Sequence, residues 1–204
     1  MQTKIEKINA SSALSIKIID EHFEEDLSFL SFREKLAMAN ISHPEKRLEW
    51  VSSRRAIYEA TEALGIEYPG FYKDAHGKSQ AMNNKGHVSL SHTKGIATAI
   101  YHDTKPVGID LELIREKVVR IGPRFLAKEE LDFLTADPEH VTMAWSAKES
   151  VFKCLGKRGV SFRNHIRLSP FNLDSIFIKA KVDKYDFDIQ VSKMENLILT
   201  YTIS

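Results

Sequence analysis

Two short segments carry the side chains best suited to chemistry. The first is a run rich in β-branched residues that predicts a strand, on which Asp110 and Glu112 point to the same side. The second, about forty residues later, has helical spacing and places Glu149 and Lys153 one turn apart on one face. Three carboxylates with a neighbouring lysine would suit an Mg²⁺-dependent reaction on a phosphate ester, because Mg²⁺ takes hard oxygen ligands from both protein and phosphate.

Each signal has an ordinary structural alternative. An Asp-x-Glu pair at a strand end is common on solvated surfaces. Glu149 and Lys153 could be an exposed i,i+4 ion pair that contributes only about 0.3–0.5 kcal/mol. Ser146 and Glu149 also fit a capping box at a helix start. Trp145 and the apolar positions on both sides indicate instead that the helix has already begun.

The composition is that of a globular protein. The chain has 204 residues, of which 43% are hydrophobic and 28% charged, and this balance excludes a disordered chain. The 29 basic and 28 acidic side chains nearly cancel, so no overall positive charge favours nucleic acid. Any site for an anion must therefore come from local clustering.

Targeting and redox signals are few. Residues 1–7 lack an apolar signal core, and no stretch approaches the roughly 20 apolar residues of a membrane span, so neither secretion nor a membrane partner is expected. The single cysteine, Cys154, rules out an intramolecular disulfide and suits a reducing compartment. We therefore expect a cytoplasmic protein in which Cys154 packs in the core.

The order of predicted elements indicates an α+β protein with two similar halves, each with helices packed on a small, mainly antiparallel sheet. The N-terminal half is expected at residues 1–103 and the C-terminal half, with the acidic motifs, at 104–204. Helices are predicted at 27–38, 44–64, 118–134 (interrupted near Gly122 and Pro123) and 138–155. Strands are predicted at 13–19, 87–91, 96–101, 107–111, 175–182, 187–191 and 197–203, and 68–84 reads as a turn-rich stretch.

The motifs resemble those of 4′-phosphopantetheinyl transferases. The resemblance is carried by Gly108-Ile109-Asp110-x-Glu112, by Trp145-Ser146-x-Lys148-Glu149-Ser150-x-x-Lys153 and by the intervening Arg124-Phe125-Leu126-Ala127-x-Glu129-Glu130. Upstream, Ser89-Leu90-Ser91-His92-Thr93 looks like the family's Ser-His motif, Gly77-Lys78 like its Gly-Lys-Pro loop, and Arg54 like its helix arginine. The resemblance covers about residues 47–159 in the family's order, although Ser79 stands where the loop pattern has proline.

The resemblance implies a reaction. Such enzymes move the phosphopantetheine arm of coenzyme A onto a serine of an acyl or peptidyl carrier protein and release adenosine 3′,5′-bisphosphate. The length is similar to that of the surfactin-type class, in which two α+β halves of one chain form a pseudo-dimer with the active site between them. This class implies a monomer rather than a trimer of short chains.

The resemblance also assigns residue roles. Asp110, Glu112 and Glu149 would hold Mg²⁺, and Glu149 could also take the serine proton. Lys153 would stabilise or protonate the departing phosphate oxygen, and Lys148 would add a phosphate contact, although a solvated lysine fits Lys148 equally well.

Four further residues are candidates for the nucleotide end of coenzyme A. Arg54 would bind the 3′-phosphate through its planar fork, or it would lie on a solvated helix face. His92 and Ser91 would contact a phosphate, with a hydrogen-bonded strand-end histidine as the alternative for His92. Lys78 would act from a loop that is less rigid without the family's proline.

Other functions stay open. Ser150-x-x-Lys153 matches the nucleophile motif of penicillin-binding enzymes, but the chain is short for that fold and lacks the partner motifs. The same carboxylates could serve an Mg²⁺-dependent phosphohydrolase, or the chain could be an inactive homologue that only binds a carrier protein. If a carrier is bound, the basic residues Arg115, Lys117 and Arg120 are expected to dock it, because carriers are usually acidic around their serine.

Overall fold

The computed structural model describes residues 4–19, 26–75 and 77–203. They form two compact units that divide between Pro106 and Val107, a few residues after the expected division. Each unit combines an antiparallel sheet with helices, so the predicted α+β class is confirmed. None of the described helices is long and apolar enough to cross a bilayer.

The N-terminal unit contains six strands and two helices among its described residues. The elements are β1 (Lys4–Lys7), β2 (Ser12–Ile18), α1 (Phe32–Ala39), α2 (Pro44–Ala63), β3 (Phe71–Lys73), β4 (Ser79–Ala81), β5 (His87–Thr93) and β6 (Ile96–His102). The sheet order is β1-β2-β6-β5-β4-β3, and every neighbouring pair is antiparallel. Ala56, Ile57 and Ala60 of α2 are fully buried in a core cluster that includes Ala13 and Ala99 of the central strands.

Helix α1 is shorter than the sequence pattern predicted, and the cause is a local cap. The predicted helix starts at Leu27, whereas the observed helix starts at Phe32. Ser31 Oγ accepts the Glu34 backbone N–H (3.3 Å), and Glu34 Oε2 accepts the Ser31 N–H (3.1 Å). This capping box satisfies two N–H groups that would otherwise lack partners, and it therefore fixes the helix start.

The C-terminal unit contains five strands and three helices among its described residues. The elements are β7 (Ile109–Leu113), α3 (Lys117–Phe125), α4 (Lys128–Leu131), α5 (Pro138–Leu155), β8 (Arg167–Leu168), β9 (Phe177–Val182), β10 (Tyr185–Met194) and β11 (Leu197–Ile203). The sheet order is β7-β11-β10-β9-β8, so β7 lies at one edge. Helix α5 packs across β7 and β11 and buries Met143, Ala147 and Val151.

The break in the helical segment after β7 differs from its prediction. It was expected near Gly122 and Pro123, but Pro123 lies inside α3, and the backbone turns extended at Leu126. The Glu130 carboxylate accepts the Ala127 N–H at 2.7 Å and thereby caps the following helix, α4. The position of the break is therefore set by a buried acid four residues further on, which a breaker pattern does not include.

Candidate functional site

Strand β7 and helix α5 bring the two acidic segments together. Gly108 precedes β7 and lies against the α5 backbone, where an added Cβ would be 1.8 Å from the Ser150 carbonyl oxygen. Only glycine permits this approach. Asp110 and Glu112 on β7 are consequently held beside Glu149 and Lys153 on α5.

A buried polar seam fixes α5 against the sheet. Thr200 of β11 lies opposite Asp110 in the strand pairing, and its hydroxyl is 2.9 Å from Ser146 Oγ and 2.7 Å from Ser150 Oγ. Ser150 Oγ also donates to the Thr200 carbonyl oxygen, and the Gly108 N–H donates to Thr202 Oγ1 at 2.9 Å. Because buried hydroxyl groups must be paired, these bonds define one position of the helix over the strand edge. Ser150 is thus committed to structure, which removes the reading of Ser150-x-x-Lys153 as a nucleophile motif.

The carboxylates influence each other electrostatically. Asp110 is 3% exposed, and Lys153 Nζ donates to Asp110 Oδ1 at 2.8 Å and to the Ile109 carbonyl oxygen at 3.1 Å. Burial, then the charges of Asp110 and Glu112, raise the pKa of Glu149 from 4.5 to about 7, with Lys153 opposing them. Burial and the charge of Asp110 also raise the pKa of Glu112. The site is therefore a concentration of negative charge that Lys153, and at Glu112 also Arg115, only partly offset.

This donor set fits a hard divalent cation in chemical type. Oxygen ligands from carboxylates are those that Mg²⁺ prefers, and the mutual repulsion of Asp110, Glu112 and Glu149 would be relieved by a cation among them. No group of three acidic, histidine or cysteine side chains within residues 4–19, 26–75 and 77–203 is already arranged as a metal site. Convergence of the three carboxylates on a single ion therefore stays a prediction.

An apolar pocket of about 440 Å³ lies beside Glu149. Its lining is mostly aromatic, with Arg124 and Glu149 as the charged members. The full lining is Ile121, Arg124, Phe125, Trp145, Glu149, Phe152 and Phe162. Phe162 was not predicted from the sequence, because it lies beyond the segment that resembles the family. Its sequence neighbourhood has no periodic pattern that would predict a pocket wall. Its place in the wall results from folding of the loop after α5 onto the helix.

Trp145 lies between the pocket and the acidic cluster. Its Nε1–H donates to Glu112 Oε1 at 3.1 Å. Its ring packs edge-on against Phe125 with centroids 4.8 Å apart, and tilted against Phe162 at 5.3 Å. The sequence motif included Trp145, but it did not reveal the bond to Glu112.

Lys148 takes a different place from the one the resemblance implied. Its side chain is fully buried, and Nζ donates to Glu130 Oε2 at 2.6 Å. Three carbonyl oxygens complete its surroundings, those of Phe125 (3.2 Å), Phe162 (2.9 Å) and Ile166 (2.8 Å). Neither the expected phosphate contact nor the solvated alternative agrees with this geometry, because the ammonium group has no solvent-facing surface and its protons are committed. Lys148 instead ties α5 to two walls of the pocket.

Arg54 lies in the N-terminal unit and is also buried, contrary to the solvated alternative. It is 6% exposed, its guanidinium lies 3.8 Å from the Trp50 ring centroid, and Nε is 4.0 Å from Glu34 Oε1. Burial lowers the pKa of Arg54, while Tyr68 and Glu34 oppose that shift. Its Nε–H has no hydrogen-bond acceptor within the described part of the chain, and such a donor suits an anion from outside the unit.

The other nucleotide candidates lie on or near the two ends of strand β5. Ser91 is buried and His92 is exposed, with His92 Nδ1 3.9 Å from Glu49 Oε2 on α2. Lys78 lies near His87, at the opposite end of the strand, and its charge adds to the burial that lowers the pKa of His87. With a rise of about 3.4 Å per residue, His87 and His92 are roughly 17 Å apart along β5. These candidates form an extended set rather than one cluster.

The comparisons with known proteins agree with these motifs. Residues 106–202 match the family model of the 4′-phosphopantetheinyl transferase superfamily. The chain is 30% identical over 152 residues to 4′-phosphopantetheinyl transferase psf-1 of Bacillus pumilus. The aligned region covers 70% of this chain and 64% of that protein. It is 29% identical over 143 residues to enterobactin synthase component D of Salmonella typhi. This second aligned region covers 66% of this chain and 58% of that protein.

The C-terminal unit therefore belongs to the 4′-phosphopantetheinyl transferase superfamily, whose family model covers nearly all of it. Two α+β units in one chain, together with the similarity to psf-1, are consistent with the surfactin-type class. The chain spans less than two thirds of the length of either relative.

Proposed function

We propose that this protein transfers the 4′-phosphopantetheine arm of coenzyme A to a serine of an apo acyl or peptidyl carrier protein. The serine oxygen attacks the phosphorus that bears the arm, the bond to the bridging pyrophosphate oxygen breaks, and adenosine 3′,5′-bisphosphate leaves. The proposal is supported most directly by the juxtaposition of Asp110, Glu112, Glu149 and Lys153 beside an apolar pocket.

Glu149 is the proposed general base. Its pKa is near 7 in the metal-free protein and would be lowered by a bound cation, so the carboxylate would be ionised at neutral pH and able to accept the serine proton. Its position in the pocket wall gives it access to a bound substrate, whereas Asp110 is nearly fully buried. Glu149 is thus better placed than Asp110 to act on the incoming hydroxyl.

Lys153 is the proposed stabiliser of the leaving phosphate. Its side chain is partly exposed and lies one turn from Glu149 on α5, with its ammonium group at Asp110. A cation at this point would offset the charge that accumulates on the departing oxygen. The ion pair with Asp110 keeps the ammonium group beside the reacting phosphates.

The proposed ligands of Mg²⁺ are Asp110, Glu112 and Glu149. A bound Mg²⁺ would neutralise the charge of the pyrophosphate and fix the orientation of the pyrophosphate. The chain itself supplies the negative site, because three acids interact there with Lys153 and, at Glu112, also with Arg115. In the N-terminal unit, Arg54, Lys78, Ser91 and His92 are the proposed contacts of the nucleotide end. The buried guanidinium of Arg54, with an unsatisfied Nε–H, is the strongest of these candidates.

The pocket suits the arm of coenzyme A. Its aromatic walls offer apolar surface for the methyl and methylene groups of pantetheine, and Glu149 and Arg124 provide polar ends. The arm would then enter the pocket while its phosphate stays near Lys153. Lys148 would act only indirectly, through the Phe125 and Phe162 segments that it holds.

A mass-spectrometric assay tests the function. The full chain is incubated with coenzyme A, Mg²⁺ and an apo carrier protein, and the expected product is a carrier that has gained one phosphopantetheine mass on its serine. Chelation of the metal should abolish the reaction, and Mg²⁺ should restore it. Hydrolysis of coenzyme A without transfer would support a phosphohydrolase, and carrier binding without any product would support an inactive homologue.

Variants test the residue roles. Asp110→Ala and Glu149→Ala should each reduce transfer by at least about 100-fold, because each removes a proposed ligand and Glu149 is also the base. The exposed Glu129→Ala on α4 is a matched control that removes a carboxylate without touching the site. Near-normal turnover of a folded Glu149→Ala variant would contradict the proposed base.

A further inference from the structure

We propose that Trp145 is a positioning residue that couples the apolar pocket to Glu112, so that a pocket occupant and a divalent cation affect each other's binding. The inference rests on the proposed function, because it takes Glu112 as a metal ligand and the pocket as the site of the arm. It goes beyond that function by assigning a physical connection between the two sites.

The connection is a single side chain with two contacts. The indole N–H is the only hydrogen-bond donor of the tryptophan side chain, and it donates to Glu112 Oε1 at 3.1 Å. The rest of the ring is pocket wall, between Phe125 and Phe162. Any displacement of the ring by a molecule in the pocket must therefore move the donor that holds the carboxylate.

The contact also restricts the carboxylate itself. A hydrogen bond to Oε1 limits rotation of the Glu112 side chain and so determines the direction in which Oε2 points. Hydrogen bonds to ligating side chains orient them, and their loss typically lowers metal affinity about 10–100-fold. Glu112 lies on an edge strand and is only partly buried, so other packing restricts it less than it restricts Asp110.

The ring is held firmly enough to transmit a displacement. Phe125 is the last residue of α3, and Phe162 lies in the loop after α5. The backbone carbonyl oxygens of both residues accept hydrogen bonds from the buried Lys148. The two aromatic neighbours are thus attached to the same helix turn that carries Trp145 and Glu149. An occupant would therefore contact Glu149 directly and would reach Glu112 through the indole.

The experiment measures metal binding, not turnover. Mn²⁺ is titrated calorimetrically into the full chain with and without N-ethylpantothenamide, a fragment of the arm that has neither phosphate nor thiol and so cannot ligate through them. In the wild type the fragment should change the Mn²⁺ Kd about 5-fold or more. Trp145→Phe, which keeps a ring but removes the N–H, should bind Mn²⁺ about 10-fold more weakly and lose the effect of the fragment.

Phe152→Leu is the matched control, because Phe152 lines the same pocket without a bond to Glu112. It should weaken fragment binding while leaving the Mn²⁺ Kd without fragment as in the wild type. Indole ¹⁵N–¹H spectra give a second readout, since the chain has two tryptophans and Trp50 lies over Arg54 in the other unit. Diamagnetic Mg²⁺ should shift the Trp145 signal in the wild type and leave the Trp50 signal as a reference.

Three results would overturn the coupling. They are an Mn²⁺ Kd in Trp145→Phe equal to that of the wild type, a wild-type Mn²⁺ Kd that the fragment leaves unchanged, and a Trp145 signal that does not respond to Mg²⁺. The mass-spectrometric transfer assay on the wild type is independent of all three. A protein that transfers the arm but shows no coupling would leave the proposed function standing and remove only the role of Trp145.

Discussion

At the scale of single residues, the acidic cluster combines a functional requirement with an energetic cost. Glu149 is pushed towards its neutral form by burial and by the neighbouring Asp110 and Glu112. A base that operates near neutral pH gains from that shift, but the folded protein must then ionise a group that resists ionisation. The metal-free protein should therefore show the cost in its stability.

We expect Glu149→Gln to stabilise the metal-free protein at neutral and higher pH. The folded pKa of Glu149 is about 7, above its ordinary value of 4.5, so wild-type stability from this group is fully present below pH 4.5 and is lost as pH rises to about 7. Glutamine has no such loss. Urea denaturation in the presence of a chelator should give equal stabilities near pH 4 and a growing advantage of the variant up to about pH 7.

The exposed Glu129→Gln controls for the loss of one negative charge. Stability curves of Glu149→Gln and wild type that run parallel from pH 4 to pH 8 would show that Glu149 is not perturbed as described.

Lys148 shows how a motif residue can act on a site without touching it. We expect Lys148→Met to lower the free energy of unfolding by about 3–5 kcal/mol, because it leaves the buried Glu130 carboxylate and three carbonyl groups without their cation. Chemical denaturation measures the loss.

Amine-reactive labelling tests the burial of Lys148. Labelling should leave Lys148 unmodified in the folded wild type, with or without coenzyme A, whereas the partly exposed Lys153 should react and be protected by coenzyme A. Labelling of Lys148 in the native protein would contradict its burial.

At the scale of elements, the decisive feature is the close approach of α5 to the start of β7. Gly108 permits that approach, and the hydroxyl groups of Ser146, Ser150 and Thr200 fix it. The relative position of the two acidic segments is therefore set by a glycine and three buried hydroxyl groups, none of which is proposed to contact substrate.

We expect Gly108→Ala to destabilise the protein by more than about 3 kcal/mol and to abolish transfer. An added Cβ would lie 1.8 Å from the Ser150 carbonyl oxygen and 2.7 Å from the Cys154 nitrogen, and both are helix backbone that cannot move alone. Thermal unfolding and the transfer assay measure the two effects.

Gly122→Ala is the matched control within the same unit. Its Cβ would meet Leu126 Cδ1 at 3.4 Å and Val141 Cγ1 at 3.7 Å, which are ordinary contacts, and alanine favours the helix by up to about 1 kcal/mol. Equal effects of the two substitutions would show that close packing at Gly108 is not the cause.

At the scale of the whole molecule, charge is distributed locally rather than globally. The nearly balanced total hides a basic group on and before α3, where Arg115, Lys117 and Arg120 are exposed. The same helix contributes Ile121, Arg124 and Phe125 to the pocket lining. An acidic carrier that docks on this helix would approach the same region in which the arm is proposed to bind.

We expect charge reversal at Arg115, Lys117 and Arg120 to raise the KM for an acidic carrier by about 10-fold or more, with a smaller change in kcat, because the lost attraction acts on encounter. The KM for coenzyme A should stay near the wild-type value. Reversal of Lys179 and Lys181, which are exposed on the sheet, is the control. An unchanged carrier KM in the triple variant would exclude α3 as the docking element.

The sequence by itself determined most of the elements and the chemical types of the site. The bounds of α5 and β11 were predicted at Pro138–Leu155 and Leu197–Ile203, because α5 has helical periodicity between Pro138 and Gly156 and β11 is a short run rich in apolar and β-branched residues. Strands β1 and β8 were not predicted, since they are short and exist through pairing with neighbours. The two short strands β3 and β4 likewise lie in a stretch that local residue types mark only as turns.

Only the tertiary structure decided what each motif residue does. Sequence spacing placed Lys148 and Lys153 on the same helix as similar cations, yet one is sealed against Glu130 and three carbonyl groups while the other faces Asp110. The bond from Trp145 to Glu112, the Phe162 wall and the burial of Arg54 are likewise contacts between residues far apart in the chain. Such contacts depend on how helices and strands pack, whereas periodicity reports only which face of one element is apolar.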